Sequence, residues 1–168
     1  AVDSSGDIKD QLIFRIFLYC AVRVSELVNI KILDVNLIEK RIFINQGKGS
    51  KDRTVLIPEQ LKILLSAYIK TIPKNIYLFE NNRNEIISAR LVQRLCKEYQ
   101  KKAGIVKNIH PHLFRHQALT FLTDKGLTDA QLQLISGHSS KKNLEVYQHL
   151  ALTDVKDVYK AAMKGLGW

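Results

Sequence analysis

The hydrophobic pattern changes period twice along this chain, and that change limits the fold more than any other feature. From Asp7 to Cys20 the apolar residues Ile8, Leu12, Ile13, Ile16, Phe17 and Tyr19 recur about every 3.6 residues, the repeat of a helix with one buried face. A shorter helical segment follows around Val24 to Ile30. The pattern then changes. Arg41-Ile42-Phe43-Ile44-Asn45 and Arg53-Thr54-Val55-Leu56-Ile57 read as two strands joined by the basic, glycine-containing turn Gln46-Gly47-Lys48-Gly49-Ser50-Lys51-Asp52. Pro58 ends the second strand and can open a helix over Glu59 to Thr71. From there the helical period returns. Ser88 is an N-cap candidate for a helix reaching Ala103, with Gly104 as its stop. Pro111 opens the next helix, and Gly126 lies just past its end. Thr128 and Gln131 form a capping box for a helix to Ile135, which Gly137 breaks. Helices around Asn143 to Leu150 and from Thr153 to Lys164 finish the chain. The expected fold class is α+β, mostly α, with one small antiparallel β-sheet.

Charge narrows the partners. Lys plus Arg number 26 against 16 Asp plus Glu, a net +10, in a chain whose 46 % hydrophobic and 25 % charged content suits a globular domain. Such an excess points to a polyanion, most often nucleic acid. A membrane span is not expected: the most apolar run, Leu12 to Val28, is interrupted by Arg15, Arg23 and Glu26. Asp3, Asp7 and Asp10 stand where a signal peptide carries basic residues. The small, polar stretch over residues 1–6 reads as a linker or domain edge. Cys20 and Cys96 lie within apolar helical patterns without zinc spacing, so they read as buried thiols.

Several residues stand at helix starts, breaks and the turn. Arg23 follows Val22; Lys48 sits in the turn; His112 and Arg115 are three apart and share a helix face. His138 follows Gly137, and Tyr147 comes nine residues after it. Each alone is ordinary: a stem-burying arginine, a turn lysine, a capping histidine, a core tyrosine. Together they suit phosphoryl transfer. Two arginines can fork the non-bridging oxygens of a phosphodiester. Histidines can move a proton near neutral pH. A lysine can protonate a departing oxygen, and a tyrosine hydroxyl can attack. With cationic side chains neutralising the charge, no cofactor or metal ion is called for.

These motifs, in this order, resemble those of the tyrosine recombinases and phage-type integrases. Ala21-Val22-Arg23-Val24-Ser25-Glu26-Leu27 looks like the first arginine motif, and Gly47-Lys48-Gly49-Ser50-Lys51-Asp52-Arg53 like the hairpin lysine motif. His110-Pro111-His112-Leu113-Phe114-Arg115-His116, Leu134-Ile135-Ser136-Gly137-His138 and Val146-Tyr147-Gln148-His149 resemble the remaining three. The resemblance covers roughly residues 7–150. It implies that Arg23 and Arg115 clamp the scissile phosphate, and that Lys48 is the general acid, with Lys51 in the same turn as the rival. It further implies His112 as a base for the tyrosine proton, His138 as a hydrogen-bond donor to the phosphate, and Tyr147 as the nucleophile. Glu26 matches an acidic position that orients the others. Ala21 stands where glycine is common in the family, and Ser136 where a small or apolar residue is common.

The resemblance also implies double-stranded DNA as partner and a homo-tetramer on paired sites, with a monomer allowed away from DNA. It implies a catalytic domain over residues 7–168 without the family's N-terminal DNA-clamping domain. The location expected is the cytoplasm, on DNA. Val155, Val158, Tyr159, Ala162 and Met163 form a stripe that suits either the chain's own core or a neighbouring protomer. Two other classes share the charge pattern: a DNA binder without catalysis, disfavoured by the complete residue set, and a type IB topoisomerase activity, disfavoured by the compact motif spacing.

Overall fold

A computed structural model describes residues 2–5, 7–45, 52–136 and 152–164. Helix α1 (Ile8–Cys20) forms the centre. Its N-cap Asp7 accepts from the backbone N–H groups of Lys9 and Asp10 at 2.9 and 3.2 Å, satisfying donors the first helical turn leaves open. Leu12, Ile13, Ile16 and Phe17 are fully buried. The helix stops at Ala21, which takes the left-handed conformation (φ 49°) and donates its N–H to the Phe17 carbonyl. An L-residue pays about 1–2 kcal/mol to sit there, which accounts for a preference for glycine at this place in the family. Helix α2 (Val24–Val28) follows after three residues, Ala21 to Arg23.

The sheet has three antiparallel strands in the order β1 (Val35–Asn36), β2 (Arg41–Ile44) and β3 (Arg53–Leu56). The hairpin of β2 and β3 pairs Ile42 with Val55, Phe43 with Thr54 and Ile44 with Arg53. Ile42, Ile44 and Val55 face the core, while Phe43 points outward and is 42 % exposed. The short β1 adds an edge that the hydrophobic pattern did not announce.

Helix α3 (Glu59–Thr71) buries Leu61, Leu65 and Tyr68. Helix α4 (Ala89–Lys102) begins at Ser88, whose Oγ accepts from the Leu91 N–H at 3.1 Å. Helix α5 (Pro111–Asp124) ends ahead of Gly126, which at φ 86° lets the chain reverse so that the Leu127 N–H reaches the Leu122 carbonyl. Helix α6 (Asp129–Ser136) has the reciprocal cap read from its sequence. The Thr128 N–H donates to Gln131 Oε1 at 2.9 Å, and the Gln131 N–H donates to Thr128 Oγ1 at 3.4 Å. The strand and helix positions agree with expectation to within one or two residues. The helix expected around 143–150 lies outside the described residues. Both Cys20 and Cys96 are buried. No helix among the described residues is long and apolar enough to cross a membrane.

Helix α7 (Leu152–Lys164) packs on this chain's own core, burying Val155, Tyr159, Ala162 and Met163. The Tyr159 hydroxyl lies 2.9 Å from the Tyr19 carbonyl and 3.1 Å from the Leu56 carbonyl, joining α7 to α1 and β3. One hydroxyl has one proton, so the two carbonyls share it. Tyr159→Phe removes this donor from a buried site. We expect a loss of about 1 kcal/mol, or roughly 2–4 °C at this chain length in a thermal melt. An unchanged melt would mean that apolar contact alone holds α7.

A buried carboxylate that gathers three arginines

Side chains from α2, β3 and α5 converge on one carboxylate. Arg23 is the N-cap of α2, and Glu26 occupies the third helical position, so its carboxylate folds back onto the Arg23 backbone N–H at 2.7 Å. The same carboxylate accepts from Arg23 Nη1 at 2.8 Å. From β3, Arg53 donates Nη1 and Nη2 to the two Glu26 oxygens, each at 2.8 Å, a bidentate fork that fixes the carboxylate plane. Arg115, on α5, brings Nη1 to 4.0 Å from Glu26 Oε2.

Backbone carbonyls hold the arginines from the other side. Arg115 Nη1 donates to the carbonyl of Ala21, and Nη2 to that of Ser136 at 2.8 Å. Arg53 Nε donates to the Ile135 carbonyl at 3.2 Å. The left-handed turn at Ala21 and the last turn of α6 therefore both serve as acceptors for guanidinium groups. Glu26, Arg53 and Arg115 are buried, whereas the Arg23 side chain is 34 % exposed and forms the open side of the cluster.

The electrostatics follow from that packing. Burial pushes the Glu26 carboxyl upward, but the Arg53 fork and the Arg23 backbone and side-chain donors outweigh it and hold it below the ordinary value. Arg115 is pushed down to about 10, first by burial and then by the charge of Arg23, with Glu26 opposing. Three guanidiniums and one carboxylate carry a formal charge of +2 among these four side chains. Such a group has positive potential for a further anion.

Three of the six residues expected to do chemistry lie among the described residues. Arg23 and Arg115 meet at Glu26 as above. His112 is exposed in the first turn of α5, one turn before Arg115. It lines a cleft of about 980 Å³ together with Val24, Arg90, Arg94, Lys97 and His110. The cleft wall beside the cluster is thus basic, and its His110 and His112 rings lie 6.4 Å apart. Lys48, Lys51, His138 and Tyr147 lie outside the described residues. The local pattern around Arg53 does not by itself announce its hold on Glu26. The available signal was an arginine paired with the inward-facing Ile44, where the strand pattern calls for an apolar residue.

Comparison with known proteins agrees with the motifs. A tyrosine recombinase of Thermosipho africanus is 31 % identical over 160 residues, which cover 95 % of this chain and 56 % of that protein. The tyrosine recombinase XerA of Pyrococcus horikoshii is 32 % identical over 165 residues, covering 96 % and 57 %. The chain thus spans little more than half the length of these relatives. A crystal structure of XerA recombinase superposes with a TM-score of 0.76 at 34 % identity, over 94 % of this chain and 59 % of that one. The XerH site-specific recombinase bound to its difH substrate, in a pre-cleavage complex, superposes with a TM-score of 0.69 at 25 % identity, over 90 % and 46 %. The sequence model of the phage integrase family matches residues 1–153. With the motif order, the helical fold and these matches in agreement, the chain belongs to the phage integrase family.

Proposed function

We propose that residues 7–168 form the catalytic domain of a site-specific DNA recombinase that cuts and rejoins strands through a 3′-phosphotyrosine. The observation that carries this reading is the cluster of Arg23, Arg53 and Arg115 on the buried Glu26, beside a basic cleft. A phosphodiester under attack gathers negative charge on its non-bridging oxygens, and preset guanidinium donors stabilise that charge without reorganising.

In this reading Arg23 and Arg115 hold the scissile phosphate and His138 donates a further hydrogen bond. The Tyr147 oxygen attacks phosphorus while its proton passes to His112. The bond from phosphorus to the 5′ oxygen breaks, and Lys48 protonates that oxygen, with Lys51 as the rival donor. One phosphoester replaces another, so the reverse attack by a 5′ hydroxyl rejoins the strand without an external energy source. Double-stranded DNA is the partner, and the XerH complex with its difH substrate supports it. Exchange between two duplexes calls for four active sites, hence a homo-tetramer on paired sites. The protein works on DNA in the cytoplasm.

Covalent capture tests this. The protein is incubated with a nicked suicide duplex bearing the site recovered for it by in vitro selection, then run on a denaturing gel. A shifted band is expected. Its absence, for this chain and for any longer form that contains it, would favour a DNA binder without catalysis.

Arg115 offers a second test. Arg115→Lys removes the fork, and we expect a loss of cleavage rate of about 100-fold. It also introduces a titration. Lysine ordinarily ionises near about 10.4, and the burial and neighbouring arginines that push Arg115 down to about 10 push a lysine lower still. Residual activity of the variant should therefore fall as pH rises through the lysine value. The wild type should show no such limb below about pH 9. A pH–rate profile of the variant parallel to wild type would place Arg115 away from the phosphate.

A further inference from the structure

Arg53 differs from an ordinary strand arginine in where its donors go. It lies opposite Ile44 on the inner side of the hairpin and is buried. Two of its nitrogens hold both oxygens of Glu26, and the third holds the Ile135 carbonyl. One planar group thereby ties β3 to α2 and to the end of α6. The end of α6 is also where Ser136 accepts from Arg115. An ammonium group cannot make this three-point, coplanar set, because it lacks the fork. Glu26, with its plane fixed by Arg53, then meets Arg23 at 2.8 Å and Arg115 at 4.0 Å.

From this juxtaposition we infer that Arg53 is a positioning residue: by fixing Glu26 and the end of α6, it preassembles Arg23 and Arg115 into a clamp for a phosphate-class anion. The inference rests on the recombinase reading for the identity of that anion, a DNA backbone phosphate. The clamp itself can be tested on inorganic phosphate. Arg53 touches neither the phosphate nor the reacting oxygens; it acts through Glu26.

The first measurement is a titration of the chain with inorganic phosphate at pH 7 and low salt, read on the side-chain Nε–Hε NMR signals of Arg23 and Arg115. Wild type is expected to shift saturably in the millimolar range. Arg53→Met strands a buried carboxylate, so Arg53→Lys, which keeps the charge and loses the fork, is the deciding variant. It is expected to melt cooperatively yet bind phosphate about 10- to 100-fold more weakly, the range seen for groups that orient a ligand-holding residue from behind.

The second measurement is cleavage of the selected suicide duplex beside the same duplex with a methylphosphonate at the scissile position. Removing one non-bridging charge lessens the demand on the clamp. The Arg53→Lys defect should therefore shrink on the methylphosphonate, whereas general damage to the fold would lower both rates alike. The proposal is overturned if wild type shows no saturable shift, if Arg53→Lys binds like wild type, if that variant fails to melt cooperatively, or if both duplexes suffer equally. Cleavage by no form of the protein, with the phosphate-binding difference intact, would remove the recombinase reading and leave Arg53 as the residue that sets the clamp.

Discussion

Replacing Glu26 by alanine is expected to cost about 3–5 kcal/mol of folding stability, or roughly 6–20 °C in the melt of a chain this long. The expectation comes from what is left behind. Glu26 is the acidic partner of Arg23 and Arg53 and lies 4.0 Å from Arg115. Without it, two guanidiniums that are less than a tenth exposed would face each other across the gap. Their mutual repulsion already contributes to the depressed value of Arg115. The pH dependence carries a definite sign. The folded Glu26 titrates below its ordinary value of 4.5, so its contribution is fully present above the unfolded value and disappears as pH falls through the folded one. Melting temperatures of wild type and Glu26→Ala should thus be far apart at neutral pH and draw together as the pH drops below 4.5. A gap that stays constant down to about pH 3 would mean that the shape of the side chain matters and its charge does not.

The same cluster shows which features were readable from the residues alone. Caps were readable because their chemistry is local: Ser88 and the Thr128–Gln131 pair each bond to backbone within three residues. The Arg23–Glu26 contact is equally local, three residues along one helix. The hairpin followed from alternation bounded by Pro58, and the apolar stripe of α7 followed from its helical repeat. What escaped is long-range or too short to have a pattern. Arg53 reaches Glu26 across 27 residues and the Ile135 carbonyl across 82. No periodicity encodes such pairings, since they arise only when β3, α2 and α6 dock. The two residues of β1 are too few for an alternation to register. Ala21 stands out in the sequence only as an alanine where the motif favours glycine; the backbone shows that it turns left-handed and offers its carbonyl to Arg115. Lys48, Lys51, His138 and Tyr147 rest on motif resemblance.

Tyr147→Phe is expected to abolish the covalent band and leave binding to the same duplex unchanged within about twofold, because it removes one oxygen and keeps the ring. Loss of a nucleophile typically costs on the order of 10⁶-fold in rate, beyond the reach of a gel assay. The other tyrosines make the comparison sharp. Of six in the chain, Tyr19, Tyr68 and Tyr159 are buried, and burial raises all three, Tyr68 to about 12. A phenol that ionises less readily and cannot reach solvent is a poor nucleophile. Tyr99 is also buried, with its hydroxyl donating to Asp10 at 2.8 Å. That leaves Tyr77, half-buried between α3 and α4 in a bridge to Lys31, as the described alternative. Tyr77→Phe is therefore the proper control, and it should form the covalent product at the wild-type rate. If instead Tyr77→Phe lost the band and Tyr147→Phe kept it, the nucleophile would be Tyr77, on the segment that bridges to Lys31. The Arg23–Glu26–Arg115 cluster would then have to serve some other phosphate than the one being cut.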